Sequence, residues 1–414
     1  MKRYSSYCVG LLLLVAPMVG AAADFAARMA AAKDQIAKNP AQPDGYTSLA
    51  LALVKAARAT DRTAYLKQAE QAVADALRAA PDNFEAHKAQ VAVRLAEARY
   101  AEALADAGIL NKQVPDDNQL YGYMADAQMA LGDYGAAEKS VQWMIDQRPV
   151  NAPGLQCGAE LRDYFGYGEP SLEWWNSSLR ITSSSDAEER AWILVNMSRV
   201  ELRMGKAADA GRSARQALDL VADYPPASDA LAAALLGQDN AGDQAGQAAE
   251  VLRHRLSAAP NVRAEFGFAE ALEAAGRKAE AAAAFERFGK DASARVSEPD
   301  NANLELIEYY ATHGRADEAV KLAEQEVQRR HDIPTLSAYA LALTAAGKHQ
   351  EARVQMDRAL EPGIRDARLF LQAAGIAAKL NDKAAASKYL RKAIEINASS
   401  PEAEKAIQLL ANLS

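Results

Sequence analysis

Residues suited to catalysis are few in this chain and scattered. The five histidines, His87, His254, His313, His331 and His349, fall far apart. None pairs with another at the spacing that sets two imidazoles on one helix face for a metal. His313 and His349 flank two similar glycine turns, just before Gly314 and just after Lys348, where a shared ligand role is geometrically conceivable. Polar residues at exposed turns require no such role. There is no Gly-x-x-x-x-Gly-Lys to cradle a phosphate, no Gly-x-Ser-x-Gly to present a nucleophile and no Cys-x-x-Cys. Abundant Asp and Glu single out no acid–base pair, because carboxylates on solvated helix faces are the usual case. These patterns predict no catalytic, cofactor-binding or metal site, and a protein that is not an enzyme. What the chain does concentrate is recognition chemistry. All four tryptophans, Trp143, Trp174, Trp175 and Trp192, lie together with Tyr164, Phe165 and Tyr167 nearby, and Arg199 and Arg203 follow shortly after. Trp and Arg carry binding energy disproportionately, since they desolvate a large area at modest entropic cost.

Such side chains must be positioned by elements, and the elements recur. From about Phe84 to Ala398 a short phrase returns roughly every 34 residues: Leu131-Gly132-Asp133-Tyr134 with Ala137 and Pro149 is its clearest copy. Gly205 with Ala210, Gly276 with Ala281 and Phe285, Gly314 with Ala319, Gly347 with Ala352, and Asn381 with Ala386 repeat it. Before Gly132, residues Tyr121, Met124, Ala125, Gln128 and Leu131 stand three, four or seven apart, a spacing that makes one face of a helix. Glycine ends that helix by entering the left-handed region without a Cβ penalty. Ala137, Val141, Met144 and Ile145 mark the facing side of a second helix, which Pro149 terminates. The recurrent alanine is small enough to let the two helices approach closely. Half the residues are apolar but only 7% are aromatic. That composition suits close helix packing over a thin core drawn out along an axis.

These residues resemble the tetratricopeptide repeat family, whose signature is a small residue and an aromatic in a first helix, a Leu-Gly-x-Tyr turn, then alanine, an aromatic and a terminal proline. The resemblance covers most of the chain and implies an all-α solenoid, a right-handed superhelix of helix-turn-helix units. Ten units are expected, at 43–83, 84–117, 118–151, 152–190, 191–224, 225–261, 262–299, 300–332, 333–366 and 367–400, with a polar capping helix over 401–413. The first unit has a long turn over 59–63, the fourth lacks its terminal proline, and the sixth carries a polar turn over 237–242, so these three are expected to splay. In the family, first helices line a concave groove that binds peptides or partner proteins. Its contact positions select Tyr123 and Asp126 in the third unit, Glu160 and Tyr164 in the fourth, and Trp192, Asn196, Arg199 and Arg203 in the fifth. The groove is thus expected to be acidic at one end and basic at the other. Trp143, Phe165 and Trp175 fall at packing positions, and Cys157 suits a small buried hydrophobe. Gly122 with Asp126, and Gln156 with Glu160, do not match the lysine and asparagine pattern of the subclass that clamps a terminal carboxylate.

The amino terminus has the layout of a secretory signal peptide over 1–23: Lys2 and Arg3, an apolar stretch over 8–20, then Ala21-Ala22-Ala23 before Asp24. Cleavage would leave Cys157 as the one cysteine, unable to form an internal bridge, and no spanning segment. The net charge of −8, near −10 without Lys2 and Arg3, disfavours a nucleic-acid partner. The expected function is an exported scaffold, periplasmic or secreted in a bacterial envelope, that holds a partner protein or peptide in an envelope assembly or secretion system. A polysaccharide assembly or export factor whose aromatic groove stacks on sugars is a second reading, and an enzyme with an unrecognised site a third.

Overall fold

The computed structural model describes residues 21–413 apart from 239–240, 299–300 and 399, so the stretch through Gly20, expected from its layout to be most of a signal peptide, lies outside the described residues. Among the described residues every regular element is a helix: α1 (Ala21–Lys38), α2 (Asp44–Thr60), α3 (Ala64–Ala79), α4 (Phe84–Ala96), α5 (Tyr100–Gln113), α6 (Asn118–Ala130), α7 (Tyr134–Gln147), α8 (Ala152–Tyr164), α9 (Gly168–Ile181), α10 (Ala187–Arg203) and α11 (Ala207–Leu220). The second half continues with α12 (Pro225–Leu236), α13 (Ala241–Ala258), α14 (Val262–Ala274), α15 (Lys278–Ser293), α16 (Asn303–Thr312), α17 (Ala316–Arg329), α18 (Ile333–Ala345), α19 (His349–Leu360), α20 (Ala367–Lys379), α21 (Lys383–Ile396) and α22 (Pro401–Leu413).

Two local devices cut the chain into hairpins. An Asn or Asp before many first helices accepts hydrogen bonds from the first turn: Asn83 from the Ala86 amide at 2.8 Å, Asn151 from the Gly154 amide at 2.7 Å, Asp332 from the Thr335 amide at 3.0 Å. Asp186 does the same for Glu189, so the fifth first helix opens at Ala187, one turn ahead of the 191 that the repeat spacing selects. At the turn inside the hairpin one residue is left-handed, Gly132 at φ 78° and Gly205 at φ 76° being typical. Three hairpins manage without glycine, using Asp61, Ala98 and Asn381 at φ 55° to 58°. The first hairpin does not splay: Asp61 closes its turn, and Ala50, Leu53, Ala69 and Val73 pack between its helices. Part of the sixth hairpin's turn, 239–240, lies outside the described residues.

Packing arranges the hairpins in two layers. First helices rest on first helices at α2–α4, α4–α6, α6–α8, α10–α12, α12–α14, α16–α18 and α18–α20, and the second helices take the outside. The recurrent alanines, Ala137, Ala210, Ala281, Ala319, Ala352 and Ala386, are all buried where the two helices of a hairpin meet. In the fourth hairpin Ser171 takes that place and donates its hydroxyl to the Ala159 carbonyl at 2.7 Å, which satisfies a group buried without water.

The coil is wound tightly enough to touch itself. The Ile333 amide donates to the Tyr134 hydroxyl at 3.0 Å across 199 residues of sequence, and Arg255 pairs with Asp61 across 194. A Cβ added to Gly132 would stand 2.6 Å from the His331 carbonyl oxygen, and one on Gly166 2.5 Å from Arg365. Gly205 faces Asn397 in the same way. The turn of one hairpin therefore meets the loop that follows the fifth hairpin after it, and a seam joins successive turns of the solenoid.

Ala137→Leu, which forces a larger side chain between α6 and α7, is expected to lower stability by about 1–3 kcal/mol in urea denaturation while leaving the remaining hairpins helical.

Candidate binding groove on the concave face

The concave face is built from first helices, where positions three and four apart project to the same side. On α6 this presents Tyr123 and Asp126, on α8 Glu160 and Tyr164, and on α10 Trp192, Asn196, Arg199 and Arg203. Three of these carry charge with no opposite partner in salt-bridge range: among the described residues, neither Asp126, Glu160 nor Arg199 enters an ion pair. All three are exposed to solvent, with neighbouring first helices on either side. Enclosure pushes the Asp126 carboxyl up to about 7, the neighbouring Glu160 charge adds to this, and a hydrogen bond from the Cys157 thiol at 3.4 Å partly opposes it. Glu160 is likewise raised by burial, although Arg199 and Arg203 pull it back. The Arg199 guanidinium is lowered by burial against the opposing influence of Glu160, Asp229 and Tyr224.

The other selected residues are more engaged. Arg203 donates to the nearly buried Asp163 carboxylate at 2.9 Å, and burial lowers its guanidinium to about 10. Asn196 donates to the Trp192 carbonyl of its own helix at 2.9 Å and accepts from Arg199 at 3.3 Å, so it steadies Arg199. Tyr164 is half-buried, its ring 5.7 Å from that of Tyr134, and burial raises its hydroxyl well above the ordinary value. Burial also raises the Tyr123 hydroxyl, with Asp126 and Asp117 adding to it. Trp192 is half-buried beneath two cations, Arg58 at 4.8 Å and Arg199 at 5.6 Å from its ring centre. Cys157 is buried, and burial raises its thiol far above the range in which a thiolate would react.

The remaining tryptophans belong to second helices and to packing. Trp143 stacks on Tyr121 at 3.7 Å, Trp174 lies under the Arg162 guanidinium at 3.5 Å, and Trp175 is in the core. Arg58 of α2 contacts the groove from the first hairpin, and repeat spacing does not point to it. A second carboxylate group, Glu270 on α14 with Glu305 and Glu308 on α16, also escapes motif reasoning. Burial and then Glu308 and Glu305 raise Glu270 to about 7.

Elsewhere the surface offers little for chemistry. A shallow 570 Å³ trough runs along Gly246, Glu250, Val251 and Arg277, and a 120 Å³ cleft lies among Met356, Asp357, Ile376 and Tyr389. Neither sets a nucleophile beside a base. Among the described residues no three metal-ligating side chains converge, and His313 packs against Tyr309 and Phe285 at 4.4 and 5.0 Å. No described helix is long and apolar enough to cross a membrane.

Stacked hairpins with an inner layer of first helices and a charged concave face define an α-solenoid of the tetratricopeptide type. No family model matches the chain, and no curated protein does. Solved structures with a similar arrangement include yeast Tom70, 12% identical over 94% of this chain and 92% of that one with a TM-score of 0.44. Another is the Cut9–Hcn1 hetero-tetramer of the APC/C, 12% identical over 94% and 86% with a TM-score of 0.46. A third is a thermophilic tetratricopeptide repeat protein of Thermus thermophilus, 22% identical over 46% of this chain and 99% of that one with a TM-score of 0.40.

The raised carboxylates fix the direction of a pH effect. Asp126, Glu160 and Glu270 keep protons in the folded state that the unfolded chain has released above about pH 4. The unfolded state then binds fewer protons, and stability falls as pH rises from about 5 toward 7. Glu189 and Asp366, whose carboxyls are lowered despite burial by Arg58 and Arg368 respectively, act the other way, but only below the ordinary carboxylate range. The protein is expected to melt at a higher temperature near pH 5.5 than near pH 7.5, and Asp126→Asn to narrow that difference by calorimetry.

Proposed function

We propose that this protein is a scaffold that holds a segment of a partner protein on the concave face of α6, α8 and α10. One observation carries the reading: Asp126, Glu160 and Arg199 stand exposed on three successive first helices, and among the described residues none of them forms an ion pair. Covering such groups without opposite charges is costly, so a partner that docks on this face supplies those charges itself. The complementary segment presents a cation to Asp126 and Glu160, and an anion to Arg199. Binding by rigid repeats requires no chemistry. The sugar-stacking alternative has less support, since Trp192 is the single tryptophan on a first helix and already lies beneath two guanidinium groups.

The layout of residues 1–23 supports export, and the reading extends to a scaffold of a bacterial envelope or secretion assembly. Fractionation of cells with an antibody to the chain tests the location, and recovery in the cytosolic fraction with 1–23 intact would refute it.

The triple variant Asp126→Ala, Glu160→Ala, Arg199→Ala is expected to lose partner capture at least tenfold, about 1.4 kcal/mol, in quantitative crosslinking from intact cells. Glu286→Ala on the outer helix α15 should retain it. Equal capture by the triple variant and the wild type would remove the concave face as the binding surface.

A further inference from the structure

The first hairpin stands at the edge of the groove described above, although repeat spacing does not assign it there. Its first helix α2 and the groove helix α10 are 17 residues each, where α4, α6, α8, α14, α18 and α20 are 13. The longer helices meet end to start. Arg58, in the last turn of α2, donates from Nε and Nη2 to the two carboxylate oxygens of Glu188 at 3.0 and 2.6 Å, and to Glu189 at 2.9 Å, both in the first turn of α10. Glu188 is 2% exposed and also accepts from the Tyr224 hydroxyl at 2.9 Å, while Glu189 accepts from Gln156 of α8 at 3.0 Å. A guanidinium–carboxylate fork has a fixed geometry that a lysine ammonium does not reproduce. Phe25, Ala56 and Ala59 join residues of α10 and α12 in one apolar cluster, so the hairpin that carries Arg58 is held independently of the fork.

Arg58 is therefore a fixed group, and it lies over Trp192 with its central carbon 4.8 Å from the ring centre. Among the described residues no hydrogen bond holds the indole, which leaves packing and the cations to orient it. Arg199 stands 5.6 Å from the same ring and donates to Asn196 at 3.3 Å, and Asn196 in turn donates to the Trp192 carbonyl at 2.9 Å. We propose that Arg58 is a positioning residue of the groove: through the Trp192 ring it sets where Arg199 presents its charge, so the first hairpin completes a site built on α6, α8 and α10. The inference rests on the groove reading given above and adds the residue that orients its cationic station. Arg58 occupies the nearer place over the ring and, carrying a like charge, leaves Arg199 the farther one. The charge of Arg58 is matched by Glu188 and Glu189, so it is Arg199 that is open to an anion of the partner.

Full-length protein labelled with 5-fluorotryptophan gives a fluorine resonance for each of its four tryptophans, and Trp192→Phe identifies that of Trp192. Arg58→Lys keeps the charge and removes the fork. The expected result is a shifted, broader Trp192 resonance, with the other three unmoved and the helical circular dichroism unchanged. Arg199→Gln, which should move the Trp192 resonance in the wild-type chain, is expected to move it several-fold less in the Arg58→Lys background, because both effects run through one ring. A Trp192 resonance that does not respond to Arg58→Lys overturns the proposal. So does an Arg199→Gln shift of equal size in both backgrounds, or a shift of all four resonances together, which marks a general loosening of the fold. Arg58→Gln with Glu188→Gln replaces the pair by two neutral amides and leaves no charge buried against α10 unmatched. It should move the Trp192 resonance in the same way, and it decides if Arg58→Lys does not fold, an unmoved resonance again overturning the proposal. These measurements need no partner. In the crosslinking assay Arg58→Lys is expected to lose capture several-fold, and undiminished capture would overturn the positioning role. Undiminished capture by the concave-face triple variant bears on the groove alone and leaves the response of the Trp192 ring as measured.

Discussion

Everything in this structure depends on how closely the two helices of a hairpin can approach. At Ala137, Ala210, Ala319, Ala352 and Ala386 the side chain is a single methyl group, fully buried, which lets the facing helix pack closely. A short separation makes each hairpin thin. Thin hairpins rotate appreciably from one to the next, and with enough of them the chain returns to meet itself. The same closeness leaves little interior volume, so most of the cohesion passes between neighbours, and no hairpin could shield its apolar side alone.

Curvature gives the two layers different tasks. Outer helices absorb the large aromatics: Trp175 in the core, Trp143 against Tyr121, Phe285 and Phe288 against Phe266. The inner helices collect charge that lacks room for full hydration. The surrounding protein accordingly raises the carboxyls of Asp126 and Glu160, although both side chains are exposed. A surface of this kind favours an incoming segment with defined charge over a purely apolar one.

The sequence reveals most of the hairpin architecture because its causes are local. Gly132, Gly205, Gly276, Gly314 and Gly347 are legible as helix ends since their left-handed backbone is the ordinary preference of glycine, and all five have it. Ala98 adopts the same geometry at a cost, and no residue-type rule marks it, whereas Asp61 is of a type that tolerates that region. The onset of α10 at Ala187 follows from the Asp186 cap, a signal that counting in steps of 34 overlooks. For the groove, helical spacing places Asp126, Glu160 and Arg199 on one face. It does not show that Arg203 is committed to Asp163 or that Arg58 overlies Trp192. Those facts depend on packing between separate helices, and contacts separated by 130 to 199 residues leave no trace in a 34-residue period.

Because Asp61 meets the last turn of α13, and Tyr134 and Gly166 meet the start of α18 and the loop at Arg365, each close to two hundred residues onward, the pitch of the coil is counted in whole hairpins. Open arrays can gain or lose a copy anywhere, since each unit sees only its neighbours. Here, duplication or loss of one hairpin between the sixth and the eighth would carry the later loops one step out of register with the turns they face. Copy number in that interval is thus held by geometry, whereas a hairpin added at either end would leave every one of these pairings in register.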